Sequence, residues 1–394
     1  MKKMSKPFVF EKPLGMRDIV PEVVERKTKL LVEIQKVLNS WGYRQIETPT
    51  LEFYDTVGGV SSTMEQRLFK LLDRTGRSLV LRPDMTAPIA RVVGSIYKDA
   101  PFPVRLSYQG NVFRAQENEA GRNAEFPEVG IELIGEAAPD ADAEVITLAI
   151  QSLKAVQVPH FKLAIGHIGF MKGLLKEIFD HQEKEVEAKK YLQQNNYVGF
   201  RQFVLQEDIA EKQKERLLTL LELRGGAEQL SIAMELAEGP ETKQAIQDLI
   251  KLWEVLEQHQ VTDQLIIDLT LIRDLDYYTG VLFEGYADQL GFPICNGGRY
   301  DHLLAEFGRP APATGFAIKV DRILEVSQLK IEEKQERVLI TYSEIKRKEA
   351  FESAQELRKQ GVLVTLHRVK NRDEKVPIAN TEEFHRWIRF EGGE

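Results

Sequence analysis

The stretch RLSYQGNVFRAQENEAGRNAEFPEVGIELIG, residues 105–135, decides the fold. Residues 105–114 and 126–135 mix apolar and polar side chains and are rich in β-branched and aromatic types, which favours two strands. The polar residues 115–125 between them predict the loop of an antiparallel hairpin. Glu128 and Glu132 have the same parity in the second strand, so we expect their carboxylates to share one face of the sheet.

Shorter elements are predicted before the hairpin. Apolar residues recur at helical spacing over residues 21–41, which predicts an amphipathic helix. Residues 46–51, with a proline inside, predict an edge strand, and residues 78–81 predict another strand. The next helix is expected to begin near Asp84 or Thr86, because both residue types cap helices well.

The chain after the hairpin divides into three parts. Residues 169–260 have a helical pattern, which predicts a helical insertion of about 170–260. The next part predicts strands over 265–268, 278–286 and 315–320, a turn at Gly297-Gly298, a helix over 300–307 and a helix from Asp321 onward. The tail predicts one β-α-β unit, with strands over 338–341 and 362–367 around a helix over 348–360, followed by a charged stretch. We therefore expect a core domain of residues 1–327 and a small C-terminal α/β domain of residues 328–394.

The composition is that of a folded chain. Its 394 residues are 43% hydrophobic and 29% charged, which allows a large core and more than one domain. A net charge of −8 argues against a strongly basic nucleic-acid binder. The single cysteine, Cys295, leaves no internal disulfide and suits a reducing compartment. The chain has no signal-like start and no long uncharged apolar run, so we expect a cytoplasmic protein without a membrane span.

Five runs, in order, resemble the motifs of histidyl-tRNA synthetases, a group of class II synthetases. They are GYRQIETPTLE (42–52), LRPDMT (81–86), the segment 113–130, RDLDYYTG (273–280), and GGRYD (297–301) with GFAIKVDR (315–322). The resemblance covers roughly residues 10–327, and the DYYTG run points to histidine. It implies an α+β fold with a class II synthetase-like antiparallel sheet flanked by helices, usually dimeric.

Free histidine carries an ammonium group, a carboxylate and an imidazole, so a pocket needs acceptors, a cation and a polar ring partner. The resemblance implies a residue for each part. Asp84, Thr86 and Glu128 hold the amino group, Arg114 and Arg273 face the carboxylate, and Glu132 with Tyr277 and Tyr278 surrounds the imidazole. The family usually has a longer glutamate at the position of Asp84 and a glutamine at that of Glu128, but both residues here keep an acceptor.

The same residues also have structural interpretations. The pair of residues at 84 and 86 can be a helix cap, and the two glutamates can be a solvated strand face. Arg273 can form an ordinary surface ion pair, and the two tyrosines can pack against a strand. Only the family resemblance links all of them to one ligand.

The nucleotide part of the pocket departs from the synthetase pattern. The family loop resembles RHERPQ–GRYRQ, whereas Gln116 replaces an adenine-reading glutamate, Glu117 and Ala124 replace arginines, and Glu125 replaces a glutamine. Lys319 replaces a glycine that leaves room for the nucleotide, while Arg114, Arg122 and the pair Asp321-Arg322 are kept. Adenylation needs preorganised cations, so we expect an eroded nucleotide site at Gln116, Glu117, Ala124, Lys319 and Arg322. We expect no catalytic residue, metal or cofactor. A different alignment of the loop, with another cation in place, is the alternative.

A histidine pocket, an eroded ATP site and a curtailed tRNA-binding tail together resemble the regulatory subunits of ATP phosphoribosyltransferase. The resemblance implies a non-catalytic subunit that activates a short catalytic subunit of this glycosyltransferase and binds L-histidine. It implies feedback inhibition of the first step of histidine biosynthesis, through a shift in a conformational equilibrium. It further implies a homodimer core within a hetero-oligomer and no tRNA.

Two other functions stay open on the sequence alone. One is a shortened histidine-activating ligase, which Arg114, Arg273 and Arg322 favour. The other is a scaffold protein whose pocket is vestigial.

Overall fold

The computed structural model describes residues 10–61, 63, 65–115, 123–272, 277–330, 336–370 and 384–390. The chain divides into two compact units, Met1–Leu329 and Lys330–Glu394. No helix within the described ranges is both long and apolar enough to cross a lipid bilayer.

The elements of the first unit follow in chain order. The helices are α1 (Pro21–Ser40), α2 (Thr86–Ser95), α3 (Pro139–Ala155), α4 (Ile168–Ile178), α5 (Gln182–Gln193), α6 (Tyr197–Gln206), α7 (Glu211–Leu220), α8 (Glu228–Leu236), α9 (Pro240–Gln258) and α10 (Val320–Val326). The strands are β1 (Arg44–Ile46), β2 (Leu51–Phe53), β3 (Lys70–Leu72), β4 (Ser78–Leu81), β5 (Val104–Phe113), β6 (Glu125–Ile134), β7 (Phe161–His167), β8 (Arg224–Gly225), β9 (Leu265–Asp268), β10 (Val281–Ala287), β11 (Cys295–Arg299) and β12 (Ala313–Lys319). Short turns of other helix types span Tyr54–Gly58, Glu65–Arg67, Thr262–Gln264 and Leu303–Phe307.

A nine-stranded sheet forms the body of this unit, in the order β1-β5-β6-β12-β11-β10-β7-β9-β8. Neighbours from β5 to β7 are antiparallel, whereas β1 runs parallel to β5 and β9 parallel to β7. The predicted hairpin is the β5–β6 pair, in which Tyr108 lies opposite Gly130. A second, three-stranded antiparallel sheet has the order β2-β4-β3.

The first helix shows how the sequence sets these elements. Pro21 occupies the first helical turn, where a missing N–H costs nothing. Leu30, Ile34 and Leu38 follow at helical spacing and are buried against the sheet. The helix ends before Gly42, whose φ of 81° allows the tight turn into β1.

The two faces of the large sheet have different coverings. Odd-numbered residues of β6, such as Val129 and Ile131, pack with α1, α3, α4 and α9 into the largest core. On the opposite face, α2 and the turn Leu303–Phe307 build a smaller core over part of the sheet. Side chain alternation therefore places Glu128 and Glu132 on this second face.

The helical insertion comprises α4 to α9, from Ile168 to Gln258. It is joined to the sheet by β8, which pairs antiparallel with β9 at its edge. The buried carboxylate of Asp268 accepts hydrogen bonds from Arg224 and from the backbone and hydroxyl of Thr270. This contact fixes the start of the chain segment that leads to Tyr277.

The second unit contains β13 (Arg337–Tyr342), α11 (Arg347–Lys359), β14 (Leu363–Arg368) and β15 (Arg386–Phe390). The three strands form a parallel sheet in the order β14-β13-β15. Apolar residues of α11 pack on one face of this sheet and form its core. The predicted β-α-β unit is confirmed by β13, α11 and β14, but the charged stretch that follows contains a third strand, β15, which was not predicted.

Four further predictions for the first unit need correction. Gly297-Gly298 is not a turn but lies inside β11, where a Cβ atom on Gly297 would lie 2.4 Å from the Gly315 carbonyl oxygen. Residues 300–307 contain only a 3₁₀ turn, Leu303–Phe307, and β10 begins at Val281 rather than at residue 278. The expected edge strand at 46–51 is divided, because β1 ends at Ile46 and β2 begins at Leu51.

Candidate functional site

The site lies on the second face of the large sheet, where β5, β6 and β12 run side by side. Glu128, Gly130 and Glu132 of β6 lie opposite Lys319, Ala317 and Gly315 of β12, respectively. Residues facing each other in this way have Cβ atoms about 4.5–5.5 Å apart, so they share one surface. The register thus brings two carboxylates and one ammonium group together between small residues.

Two glycines form the floor of the site. A Cβ atom on Gly130 would lie 1.9 Å from the Phe316 carbonyl oxygen and 2.6 Å from the Tyr108 hydroxyl. A Cβ atom on Gly315 would lie 1.9 Å from a carboxylate oxygen of Glu132. No side chain fits at either position, so the polar groups can approach the sheet backbone closely.

Glu132 is the centre of the site. Its side chain is 2% exposed, and its carboxylate accepts a short hydrogen bond from the Tyr300 hydroxyl. The Thr86 hydroxyl is a second hydrogen-bond partner. Burial raises the pKa of this carboxyl to about 8, and the nearby Asp84 and Glu128 add to the rise, although the two hydrogen bonds oppose it.

Three tyrosines form an aromatic wall beside Glu132. The Tyr277 and Tyr300 rings stack with centroids 5.4 Å apart, and Tyr278 meets Tyr277 edge-on at 5.2 Å. Burial, with the adjacent Glu132 carboxylate, raises the pKa of Tyr300 well above its ordinary value. The Tyr300 hydroxyl therefore keeps its proton and remains a donor to Glu132.

Asp84 is the second carboxylate whose charge acts on Glu132 and Tyr277. One of its carboxylate oxygens accepts from the backbone N–H of Ala87 at 3.0 Å, in the first turn of α2. The other accepts a short hydrogen bond from the Ser61 hydroxyl. Asp84 thus bonds the first turn of α2, although the N-cap residue is Met85, and the Asp84 carboxylate also raises the pKa values of Glu132 and Tyr277.

Glu128 is 3% exposed and lies between two cations. The Arg114 guanidinium is 3.9 Å from the carboxylate of Glu128, and Lys319 is its register partner on β12. Burial raises the pKa of Glu128, while Arg114 and Lys319 lower it. Both glutamates are buried, so the interpretation that Glu128 and Glu132 form a solvated strand face was wrong.

Arg114 is held in place by a backbone carbonyl group and an aromatic ring from two other segments of the chain. Its Nε donates to the Pro83 carbonyl oxygen at 2.8 Å, and its guanidinium lies 5.3 Å from the centroid of the Phe126 ring. These contacts leave the end of the guanidinium directed toward Glu128.

Several predicted residues lie outside the described residues. They are Gln116, Glu117, Arg122 and Arg273. The structure therefore brings together seven of the eight residues predicted for a histidine pocket or its immediate surroundings, namely Asp84, Thr86, Arg114, Glu128, Glu132, Tyr277 and Tyr278.

The described residues of the predicted nucleotide site make other contacts. Ala124 is buried, and its N–H donates to the Gly15 carbonyl oxygen at 2.8 Å. A larger side chain at this position would displace the segment around Gly15. Arg322 donates to the Pro293 carbonyl oxygen, and its guanidinium lies 5.3 Å from the Phe292 ring centroid.

Sequence reasoning missed Tyr300 and Tyr108 as site residues. Tyr300 belongs to the GGRYD run but was assigned to a helix, although it follows directly after β11. Tyr108 has the parity of Glu128 across the hairpin, and its hydroxyl donates to the Phe316 carbonyl oxygen at 3.2 Å. Projecting that parity from β6 onto β5 is the signal by which Tyr108 could have been found.

Comparisons with known proteins agree with this architecture. The family model of histidyl-tRNA synthetase matches residues 15–323. A histidyl-tRNA synthetase structure from Nostoc has a TM-score of 0.77 at 20% identity, covering 95% of this chain and 89% of that one, which shows the fold alone. The topology and the pocket therefore define a protein with the class II, histidyl-tRNA synthetase-like fold.

Closer relatives narrow this class. The ATP phosphoribosyltransferase regulatory subunits of Halalkalibacterium halodurans and Bacillus licheniformis are 47% and 49% identical, over 92% and 91% of this chain and 92% of each relative. A crystal structure described as an ATP phosphoribosyltransferase regulatory subunit/histidyl-tRNA synthetase from Bacillus halodurans has a TM-score of 0.90. It is 43% identical and covers 99% of this chain and 100% of that one. The chain belongs to the family of ATP phosphoribosyltransferase regulatory subunits.

Proposed function

We propose that this chain is a non-catalytic regulatory subunit that binds L-histidine and controls a short catalytic subunit of ATP phosphoribosyltransferase. It activates that subunit, and bound histidine inhibits the complex, so that the end product limits the first step of its own synthesis. Family membership supports the regulatory role, and the geometry of the pocket supports the ligand.

The single observation that carries the ligand assignment is the surroundings of Glu132. A buried carboxylate with a tyrosine and a threonine hydroxyl beside it, flanked by stacked aromatic rings, suits a flat ring that bears an N–H donor. Imidazole is such a ring. Among common amino acids, histidine combines this ring with an amino group and a carboxylate on the same small molecule.

The other end of the pocket suits that amino acid backbone. Asp84 and Glu128 provide acceptors for an ammonium group, and Arg114 provides a cation for the carboxylate. Charge-assisted hydrogen bonds contribute on the order of 1.5–3 kcal/mol each. Two or three of them approach the roughly 8 kcal/mol that corresponds to micromolar binding.

The regulatory step follows from linkage. Histidine inhibits the complex if it binds more tightly to an inactive arrangement of the two subunits than to an active one. The same coupling then requires that the catalytic subunit change the affinity of this chain for histidine. We infer a homodimer of this chain within a hetero-oligomer, in a cytoplasmic setting and without tRNA.

Reconstitution tests the proposal. This chain is mixed with the short catalytic subunit from the same source, and formation of phosphoribosyl-ATP is followed with and without L-histidine. We expect this chain to raise the rate and histidine to lower it. A rate that ignores this chain would refute the regulatory role.

Pocket variants separate a working pocket from a vestigial one. Glu132→Ala and Tyr277→Ala should assemble with the catalytic subunit and still activate it, but inhibition should need at least about tenfold more histidine. Glu185→Ala is a matched control, because Glu185 pairs with Lys189 at 3.3 Å within α5 of the helical insertion. Unchanged inhibition in both pocket variants would leave the protein as a scaffold.

A histidine-activating ligase is the second candidate function. It is favoured by Arg114, Arg273 and Arg322, of which Arg273 lies outside the described residues, and by the synthetase fold. Histidine-dependent exchange of pyrophosphate into ATP by the isolated chain would establish it. Our proposal expects no exchange above the background without histidine.

A further inference from the structure

Lys319 is the last residue of β12, and its position is set by the sheet. It lies directly opposite Glu128, on the face that carries Glu132 and the two floor glycines. Only 9% of this lysine is exposed, although a lysine on a strand is ordinarily solvated. The sheet therefore holds an ammonium group inside the pocket, next to the acceptor proposed for the ligand amino group.

Packing does not account for a lysine at this place. The adjacent positions on the same face, Ala317 and Gly130, carry small side chains or none. Burying an ammonium group costs free energy unless anions surround it, and a small or apolar residue would avoid that cost. The position of Lys319 is therefore better explained by the charge it brings than by the space it fills.

The charges at this end of the pocket are suited to a zwitterion. Glu128, Asp84 and Asp321 are the carboxylates whose charges act on one another here, and Arg114 and Lys319 are the cations. Asp84 is hydrogen-bonded to Ser61 and Ala87, and Asp321 accepts from Asn123 at 3.1 Å. The charges of Arg114 and Lys319 both act on Glu128, so an amino acid whose ammonium group bonds Glu128 would have its own carboxylate, a few bonds away, near these cations.

We propose that Lys319 is a specificity-determining residue that binds the free α-carboxylate of the amino acid ligand. This inference rests on the proposed function, because it assigns a partner to one group of the same ligand. A lysine here selects the unmodified amino acid over derivatives that lack a free carboxylate. These are the alcohol, in which the carboxylate is reduced, and the amide or acyl phosphate ester, in which it is masked. The position that would crowd a nucleotide thus becomes the part of the site that recognises the end product as such.

The test varies the protein and the ligand together. L-histidine, L-histidinol and L-histidinamide are titrated calorimetrically into the full chain and into Lys319→Met, which keeps an unbranched side chain one atom shorter and removes the charge. The unsubstituted chain should prefer histidine over histidinol, and Lys319→Met should reduce that preference about tenfold or more. The affinity for histidinol and histidinamide should change less than about threefold.

Lys162→Met is the matched control. Lys162 lies on β7 of the same sheet, is exposed, and bonds the Asp263 carbonyl oxygen at a distance from the pocket. The same chemical change there should leave all three affinities as they were. A preference that stayed constant in Lys319→Met would overturn the inference while leaving the histidine pocket intact.

Two other outcomes also decide against the inference. If Lys319→Met lost affinity for histidine and histidinol equally, the lysine would support the shape of the pocket rather than the carboxylate. If the unsubstituted chain bound neither ligand, the proposed function itself would fail, and that result is distinct from both others.

Discussion

At the scale of single residues, Glu132 is in an environment that disfavours its charged form. Its pKa is about 8 in the folded chain against 4.5 ordinarily, chiefly because burial removes its solvation. A carboxyl whose pKa rises on folding stabilises the folded state fully below the ordinary pKa. That contribution is lost as the pH rises through 8. Ionisation of Glu132 therefore weakens the fold as the pH rises toward 8.

Glu132→Gln should reveal this cost. The amide keeps the shape of the side chain but never ionises, so the variant should gain stability relative to the unsubstituted chain as the pH rises from about 5 to about 9, by at least about 1 kcal/mol. Thermal unfolding of both proteins across that range measures the difference. A gap between the two melting temperatures that did not change with pH would contradict the prediction.

Tyr300→Phe tests the hydrogen bond to Glu132 alone. The ring that stacks on Tyr277 is kept, but the hydroxyl that favours the carboxylate is lost. The pKa of Glu132 should rise further, and histidine affinity at neutral pH should fall about tenfold. Calorimetric titration measures the affinity, with Tyr342→Phe in the second unit as control. Equal affinities for Tyr300→Phe and the unsubstituted chain would show that the hydroxyl is not needed.

At the scale of elements, the contact between β8 and β9 connects the helical insertion to the site. Asp268 ends β9, and its 1% exposed carboxylate is held by Arg224 at 2.8 Å and by Thr270. The next residues lead to Tyr277 and Tyr278. The insertion therefore helps to set where the aromatic wall begins.

Asp268→Asn should loosen this connection. The asparagine amide has no charge to pair with Arg224 and has one acceptor oxygen fewer than the carboxylate. Because the group is buried, the free energy of unfolding should fall by about 1–3 kcal/mol. Hydrogen exchange of the backbone over residues 269–272 and 277–280 should become faster, and histidine affinity should fall. Arg216→Met is the control, because Arg216 pairs with Glu177 and Glu238 within the insertion. Exchange in residues 269–272 and 277–280 that matched the control would contradict the link.

The elements that the sequence predicted well have a clear period or clear ends. The helix at 21–41, the strand at 78–81 and the hairpin were confirmed within about one residue. Both strands of the hairpin, β5 and β6, begin and end one residue earlier than predicted. β15 was missed, because its five residues, RWIRF, are short and lack strict polar/apolar alternation, and they lie in a charged segment. Gly297-Gly298 was predicted as a turn, because the local sequence does not show that another strand passes close by.

The candidate site, too, could be predicted only where the local sequence contains the information. Motif residues that resemble the family's could be assigned to a pocket from the sequence, and their parity on β6 followed from the strand itself. The placement of Lys319 beside Glu128 depends on the register between β6 and β12, which are far apart in the chain. Only the folded sheet shows that Lys319 is the direct neighbour of that glutamate.

At the scale of the whole molecule, the two units have separate cores. The first contains every described site residue, and the second has a small core of three strands and one helix. A unit of that size buries little apolar surface, so its own stability is limited.

A chain ending after residue 329 should fold and bind histidine with an affinity within about threefold of the full chain. The reason is that its two apolar cores contain no residue of the second unit. Circular dichroism and calorimetric titration of the shortened chain measure both properties. Loss of histidine binding in a shortened chain that remained folded would show that the second unit contributes to the pocket.

The glycine floor has a consequence for how this protein can change. The atoms that would obstruct a methyl group at Gly130 and Gly315 include the carbonyl oxygens of Phe316 and Ile131, which belong to the backbone. Shrinking a neighbouring side chain cannot move a carbonyl group of a paired strand. Substitutions of Gly130 and Gly315 should therefore have no second-site suppressors. A genetic screen for restored function should return only reversion to glycine.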